Sequence, residues 1–149
     1  MAKQLETPVK THTIGFGEAA YDERVLAWIR AIDKGTTYTG AICTGVWILG
    51  ATGLIEGKHA VTNWYREDEF LKKYKAIPAH KRYTHDGKYW TSAGVTAGID
   101  LALALVEDDL GTEAAQTVAR WLVMFLRRPG GQTQFVHVEQ ELTGLFHAD

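Results

Sequence analysis

From Asp22 onward the apolar residues recur at three- and four-residue spacing. Val25, Leu26, Trp28, Ile29 and Ile32 share one helical face, and Gly35 follows as a stop. The next stretch, TTYTGAI, is rich in β-branched and aromatic residues and predicts a buried strand. TGVWILGATGLIEG then predicts an apolar helix with Gly53 or Gly57 near its end. KHAVTNW predicts a short strand and REDEFLKKY a charged amphipathic helix. In AIPAHKRYTHDGKYWTSAG, Asp86-Gly87 lies between two β-prone arms, a hairpin signal. TAGIDLALALVEDDLG predicts a helix with Thr96 as N-cap and Asp100 in the first turn, where negative charge is favoured. TEAAQTVARWLVMFLRR predicts another, ended by Pro129-Gly130-Gly131. Residues 1–12 are polar and read as an irregular start or an edge strand. THTIGFGEAA reads as a short extended stretch ending at Gly15 and Gly17. The tail QTQFVHVEQELTGLFHAD fits neither period.

Strands alternating with helices predict a three-layer α/β fold around a mostly parallel, doubly wound sheet of the flavodoxin-like kind. The 149 residues suit a single domain spanning 1–149. In such folds ligands bind at the carboxyl ends of the strands. Cys43 stands at such an end, between TTYTGAI and the helix that follows.

Composition narrows the picture by exclusion. A net charge of −2 shows no basic excess for a nucleic-acid or anionic-membrane partner. No run of about 18 apolar residues exists, so no membrane-spanning segment is expected. A single cysteine forms no internal disulfide and no cysteine-rich zinc site. The six histidines lack metal-ligand spacing, so neither a metal nor a cofactor is expected. MAKQLETPVK has no apolar signal core, and the expected address is the cytoplasm, where a free thiol stays reduced.

The chemistry of the chain turns on Cys43. A sharp strand-to-helix turn can hold a reactive side chain above a sheet, with backbone N–H groups nearby to stabilise an oxyanion. A helix N-terminus also favours a thiolate. Ala41 lies two residues before Cys43 and Gly45 two after, as a crowded turn would require. The competing reading is a small buried hydrophobe, which free cysteines often are. Local pattern alone leaves both open.

AICTGVWILGATGLIEGKHAVTNW resembles the nucleophile-elbow segment of the ThiJ/PfpI superfamily, within the class I glutamine amidotransferase-like fold. YWTSAGVTAGIDLALALVEDDLG resembles the later strand, glycine turn and helix of the branch containing isocyanide hydratases and sensor domains of AraC-type regulators. ARWLVMFLRRPGGQTQF is similar to the end of those sensor domains. The resemblance covers about residues 14–135 in the expected order. It implies that Cys43 is the nucleophile, that Thr44 lines the site and that Gly45 tightens the turn. It also implies that Gly15 and Gly17 form a glycine loop facing the cysteine. Asn63, Trp64, Ser92, Gly94, Val95 and Thr96 would form the pocket wall.

The same resemblance carries departures. Thr44 stands where peptidase-like members have histidine, which argues against peptidase activity and matches the hydratases. In those, the cysteine attacks the terminal isocyanide carbon and an N-formyl product follows. Asn63 replaces a frequent histidine and cannot act as a base. The family's first strand carries an acid that contacts the cysteine, and Glu6 is a poor match for it. The expectations are therefore a cysteine-centred small-molecule site of hydratase type, a non-catalytic ligand-sensing domain, or one subunit of a split protein. With those strands missing, the expected partner is a second copy or another chain that supplies them.

Overall fold

The structure is a computed structural model and describes residues 21–126 and 128. The elements are α1 (Glu23–Asp33), β1 (Thr39–Ile42), α2 (Gly45–Ala51), β2 (His59–Ala60), a 3₁₀ turn (Trp64–Arg66), α3 (Glu67–Tyr74), β3 (Ile77–Pro78), β4 (Tyr83–Asp86), β5 (Tyr89–Ser92), α4 (Val95–Leu110) and α5 (Thr112–Trp121). One sheet has the order β1-β5-β4, with β1 parallel to β5 and β4 antiparallel to it. A second pair, β2 and β3, is parallel.

The pleat of β1 explains the layering. Successive side chains point to opposite faces, so Ala41 and Ile42 meet different helices. Ala41 packs on the core of Val46, Trp47, Leu49, Ile55, Ala60, Phe70 and Ala76, contributed by α2, α3 and the segments between and just after them. Ile42 faces α4: a Cβ built on Gly98 would come within 3.0 Å of Ile42 Cδ1. Helices therefore cover both faces, as the three-layer α/β class requires. Phe70, Val46 and Ile55 are fully buried, each worth roughly 1.5–3 kcal/mol of transfer free energy. On the outer side of α2, Leu26 and Ile29 of α1 close over Ile48.

Several elements form where local chemistry demands. Asp22 caps α1, its carboxylate accepting the Arg24 N–H at 2.8 Å. The hairpin closes on Gly87-Lys88 between the paired Asp86 and Tyr89, with Gly87 at φ +59.

Other boundaries differ from the sequence reading, each for a physical reason. β1 is half-exposed rather than buried, because it is an edge of the described sheet. The helix after Cys43 stops at Ala51. There the Thr52 hydroxyl donates to the Leu49 carbonyl at 2.6 Å, Gly53 turns left-handed, and the chain proceeds in turns to Gly57. α4 is entered from Gly94, so Thr96 lies inside the first turn and caps nothing. Asp100 falls a turn later and is buried. α5 ends at Trp121, well short of Arg128. Val123 adopts φ +54, its N–H bonds the Arg120 carbonyl at 3.1 Å, and the Met124 N–H reaches Ala119 at 2.9 Å, a closed helix terminus. The Pro129-Gly130-Gly131 stop lies outside the described residues, as do Glu6 and the readings of residues 1–13 and 136–149. Among the described residues no helix is long and apolar enough to cross a membrane.

Candidate functional site

β1 and β5 run parallel, so their carboxyl ends and the starts of α2 and α4 lie at the same edge of the sheet. Cys43 leaves β1 at this edge. Its backbone is left-handed, φ +56, which costs a non-glycine residue roughly 1–2 kcal/mol. The strain is held in place from two sides. The Cys43 N–H donates to the Ser92 carbonyl at 2.8 Å, continuing the β1–β5 ladder one step beyond the Ile42–Ser92 pair. The Thr62 hydroxyl donates to the Cys43 carbonyl at 2.8 Å. The same carbonyl accepts the Val46 N–H at 3.2 Å, which starts α2. The thiol is half-buried at this corner.

The neighbours expected from sequence take varied places. Thr44 occupies the N-cap position of α2, exposed and without a side-chain capping bond. Gly45 opens the helix, but a Cβ there would meet nothing within 4 Å. Crowding is thus not what selects glycine at this position. Ser92 is fully buried beside Ile42, and its hydroxyl has no hydrogen-bond partner among the described residues. Gly94, Val95 and Thr96 lead from β5 into α4, with Val95 and Thr96 exposed.

Asn63 is committed elsewhere. Its side-chain oxygen accepts the Tyr65 N–H at 3.2 Å and caps the 3₁₀ turn. Trp64 is half-buried and meets Tyr65 edge-on at 5.7 Å. Gly15 and Gly17 lie outside the described residues. Arg128 pairs with Asp100, its guanidinium reaching the carboxylate at 2.6 and 2.9 Å, and also donates to the Thr96 carbonyl at 2.9 Å.

Sequence reasoning missed three features. Thr62, one residue before Asn63, is the side chain that grips Cys43, and it is fully buried. Glu67, in the stretch read as a charged amphipathic helix, is buried at the start of α3. Its Oε2 lies 3.4 Å from His80 Nδ1 while Oε1 has no hydrogen bond among the described residues. Burial pushes this carboxyl above its usual range, and His80 pulls the other way. The third is an apolar groove of about 540 Å³ along the outer edge of β1 that ends at Gly45, beside Cys43.

A strained cysteine between a parallel strand and a helix, in a three-layer α/β domain, defines a class of protein built around that corner. The chain belongs to the DJ-1/PfpI family, whose model matches residues 15–108. It is 41% identical over 104 residues to isonitrile hydratase of Pseudomonas putida, covering 70% of this chain and 45% of that protein. It is 32% identical over 115 residues to the HTH-type transcriptional regulator CdhR of Pseudomonas aeruginosa, covering 76% of this chain and 34% of that one. Among solved structures, a ThiJ/PfpI family protein from Pseudomonas syringae superposes with a TM-score of 0.71 at 29% identity, covering 85% of this chain and 54% of that one. The chain thus spans about half the length, or less, of these relatives. The flavodoxin-like α/β class expected from the strand–helix alternation is the fold of this family.

Proposed function

We propose that the Cys43 corner is a small-molecule site in which the thiolate is a nucleophile toward isocyanides. One observation carries this reading: Cys43 is a non-glycine residue held left-handed by Ser92 and Thr62, between a strand and a helix. Strain kept in place by surrounding bonds is a mark of functional positions. The likeness to isonitrile hydratase supports the substrate class.

In the proposed reaction the sulfur bonds the terminal isocyanide carbon, and that carbon takes up a proton. Water then adds to the resulting thioimidate, the carbon–sulfur bond breaks, and an N-substituted formamide leaves with the thiol restored. Thr44 and the 92–96 segment would wall the substrate. A reduced thiol is needed throughout, which suits the cytoplasm.

The second reading is ligand sensing without turnover. It is supported by the likeness to transcriptional regulators and by Asn63, which cannot serve as a base. The test is incubation of the chain with an alkyl isocyanide, following the formamide proton by NMR. Formamide production that disappears in Cys43→Ser supports the first reading. Isocyanide binding without formamide, equal in the wild type and Cys43→Ser, establishes the second.

A further inference from the structure

We infer that Arg128 is a positioning residue for the Cys43 site, a clamp that sets where the 92–96 wall stands by fixing the first turn of α4. The inference rests on the reading of Cys43 as the nucleophile of a small-molecule site. Ser92 holds Cys43 through its carbonyl, and the chain is inside α4 by Thr96. The entry between them is weakly specified by its own residues. Gly94 is extended, at φ 178, and no side chain caps the helix among the described residues. Glycine brings no side-chain oxygen to hold the turn. Val95 and Thr96 are exposed.

Two arginines supply the hold. The Arg82 carbonyl accepts the Ala93 N–H at 2.8 Å, and Arg82 Nε lies 3.2 Å from Asp100 Oδ2. The Arg82 guanidinium also donates to the Arg128 carbonyl. Arg128 joins both ends of the first turn. Its Nη2 donates to the Thr96 carbonyl at 2.9 Å and to Asp100 Oδ2 at 2.6 Å, and its Nε donates to Asp100 Oδ1 at 2.9 Å. Residues 96 and 100 share one helix face, so a planar fork spanning them fixes the rotation of the turn as well as its place. Asp100 is 2% exposed, which protects the pair from screening.

The turn is bounded on its other side as well. Gly98 lies two residues from both 96 and 100, on the opposite face of the helix. A Cβ there would come within 3.0 Å of Ile42 Cδ1, the residue before Cys43. Ala97 and Ala93 pack on Val61, the neighbour of Thr62. β1 thus blocks movement of the turn towards the strand, and Arg128 restrains movement away from it. The size of reagent that reaches the thiol then depends on a guanidinium 32 residues from Thr96 in sequence.

Cys43 is the only cysteine, so its modification reports on the site directly. Rates with N-methylmaleimide and with the bulkier N-cyclohexylmaleimide, each divided by the rate of glutathione, give the size discrimination of the 1–149 chain. All are taken without denaturant, with folding checked by circular dichroism. Arg128→Met should lower the discrimination about tenfold, the scale on which misplaced groups lose their effect. Arg128→Lys should recover unfolding stability, because a cation again faces Asp100. It should not recover discrimination, because an ammonium is a point charge without the fork. Gly50→Ala, a destabilised control away from the wall, should keep the wild-type discrimination. A wild type that discriminates no better than glutathione overturns the proposal. So does unchanged discrimination in Arg128→Met, or full recovery in Arg128→Lys, which assigns the contact to charge alone. An equal loss in Gly50→Ala also overturns it, assigning the effect to general loosening. Arg128→Lys decides the matter by itself if Arg128→Met fails to fold. Formamide formation tests the isocyanide reading separately: its absence in the wild type removes that reaction, while the maleimide ratio still decides the clamp.

Discussion

The backbone N–H of Cys43 donates to the carbonyl oxygen of Ser92 at 2.8 Å, and this bond ends the β1–β5 ladder while Cys43 turns left-handed. The bond fixes the strained backbone from the neighbouring strand. Glycine adopts φ +56 without the Cβ penalty. Cys43→Gly should therefore raise the unfolding free energy by about 1 kcal/mol, seen as a higher urea midpoint. The same variant should lose all alkylation by iodoacetamide, since no other cysteine is present. A lower midpoint would show that the conformation is not strained.

Gly50 is selected by close packing. A Cβ there would lie 2.7 Å from Tyr74 Cδ2 and 2.9 Å from Phe70 Cε2, closer than real contacts allow. Phe70 is fully buried against Trp47, and the half-buried Tyr74 packs on both, so the rings have little room to retreat. Gly50→Ala should cost about 1–3 kcal/mol in urea unfolding despite alanine's better helix propensity. In combination with Tyr74→Ala the loss should be smaller than the sum, because the second change opens the contested space.

Asp100 is buried on α4 and holds two guanidinium groups: Arg128 at 2.6 Å and Arg82 at 3.2 Å. It thereby ties Arg128 and the arm before β4 to one helix. Asp100→Ala would leave both cations without this partner and should cost about 3 kcal/mol by thermal or urea unfolding. Asp100→Asn keeps an oxygen acceptor and should cost less. Equal losses would mean that the charge, and not the acceptor oxygen, carries the interaction.

Two buried acids should give opposite pH responses. At Asp33 burial raises the carboxyl, but bonds from Thr39, Lys88 and Tyr89 outweigh it and hold it below the ordinary 3.8. A lowered acid contributes stability above about 3.8 that is lost as pH falls through the folded value. Glu67 is held above 4.5, chiefly by burial. It carries no penalty while both states are protonated; the penalty builds as pH rises from 4.5 through the folded value. Urea midpoints across the acid and neutral range should therefore show a weaker acid-side fall in Asp33→Asn. In Glu67→Gln the fall with rising pH should be gone.

Much of the scaffold was legible from local chemistry. The apolar spacing from Asp22 marks α1, and Asp86-Gly87 marks the hairpin, because periods and turns depend on residues close in sequence. The strand–cysteine–helix order around Cys43 was likewise readable, as were the segments that resemble the family.

What the sequence by itself determined is the order of the elements, the α/β class and the placing of Cys43 between β1 and α2, since these follow from periods and breakers within a few residues. Only the tertiary structure decided the rest. Thr62 reaches Cys43 across 19 residues, Arg128 reaches Asp100 across 28, and Glu67 turns inward against the polarity of its own helix. Periodicity cannot report these pairings, because they are set by which strands lie side by side. The exposure of β1 follows the same rule: TTYTGAI reads as a buried strand, yet a strand is buried only when neighbours lie on both of its edges, and in the described sheet β1 has β5 on one edge alone.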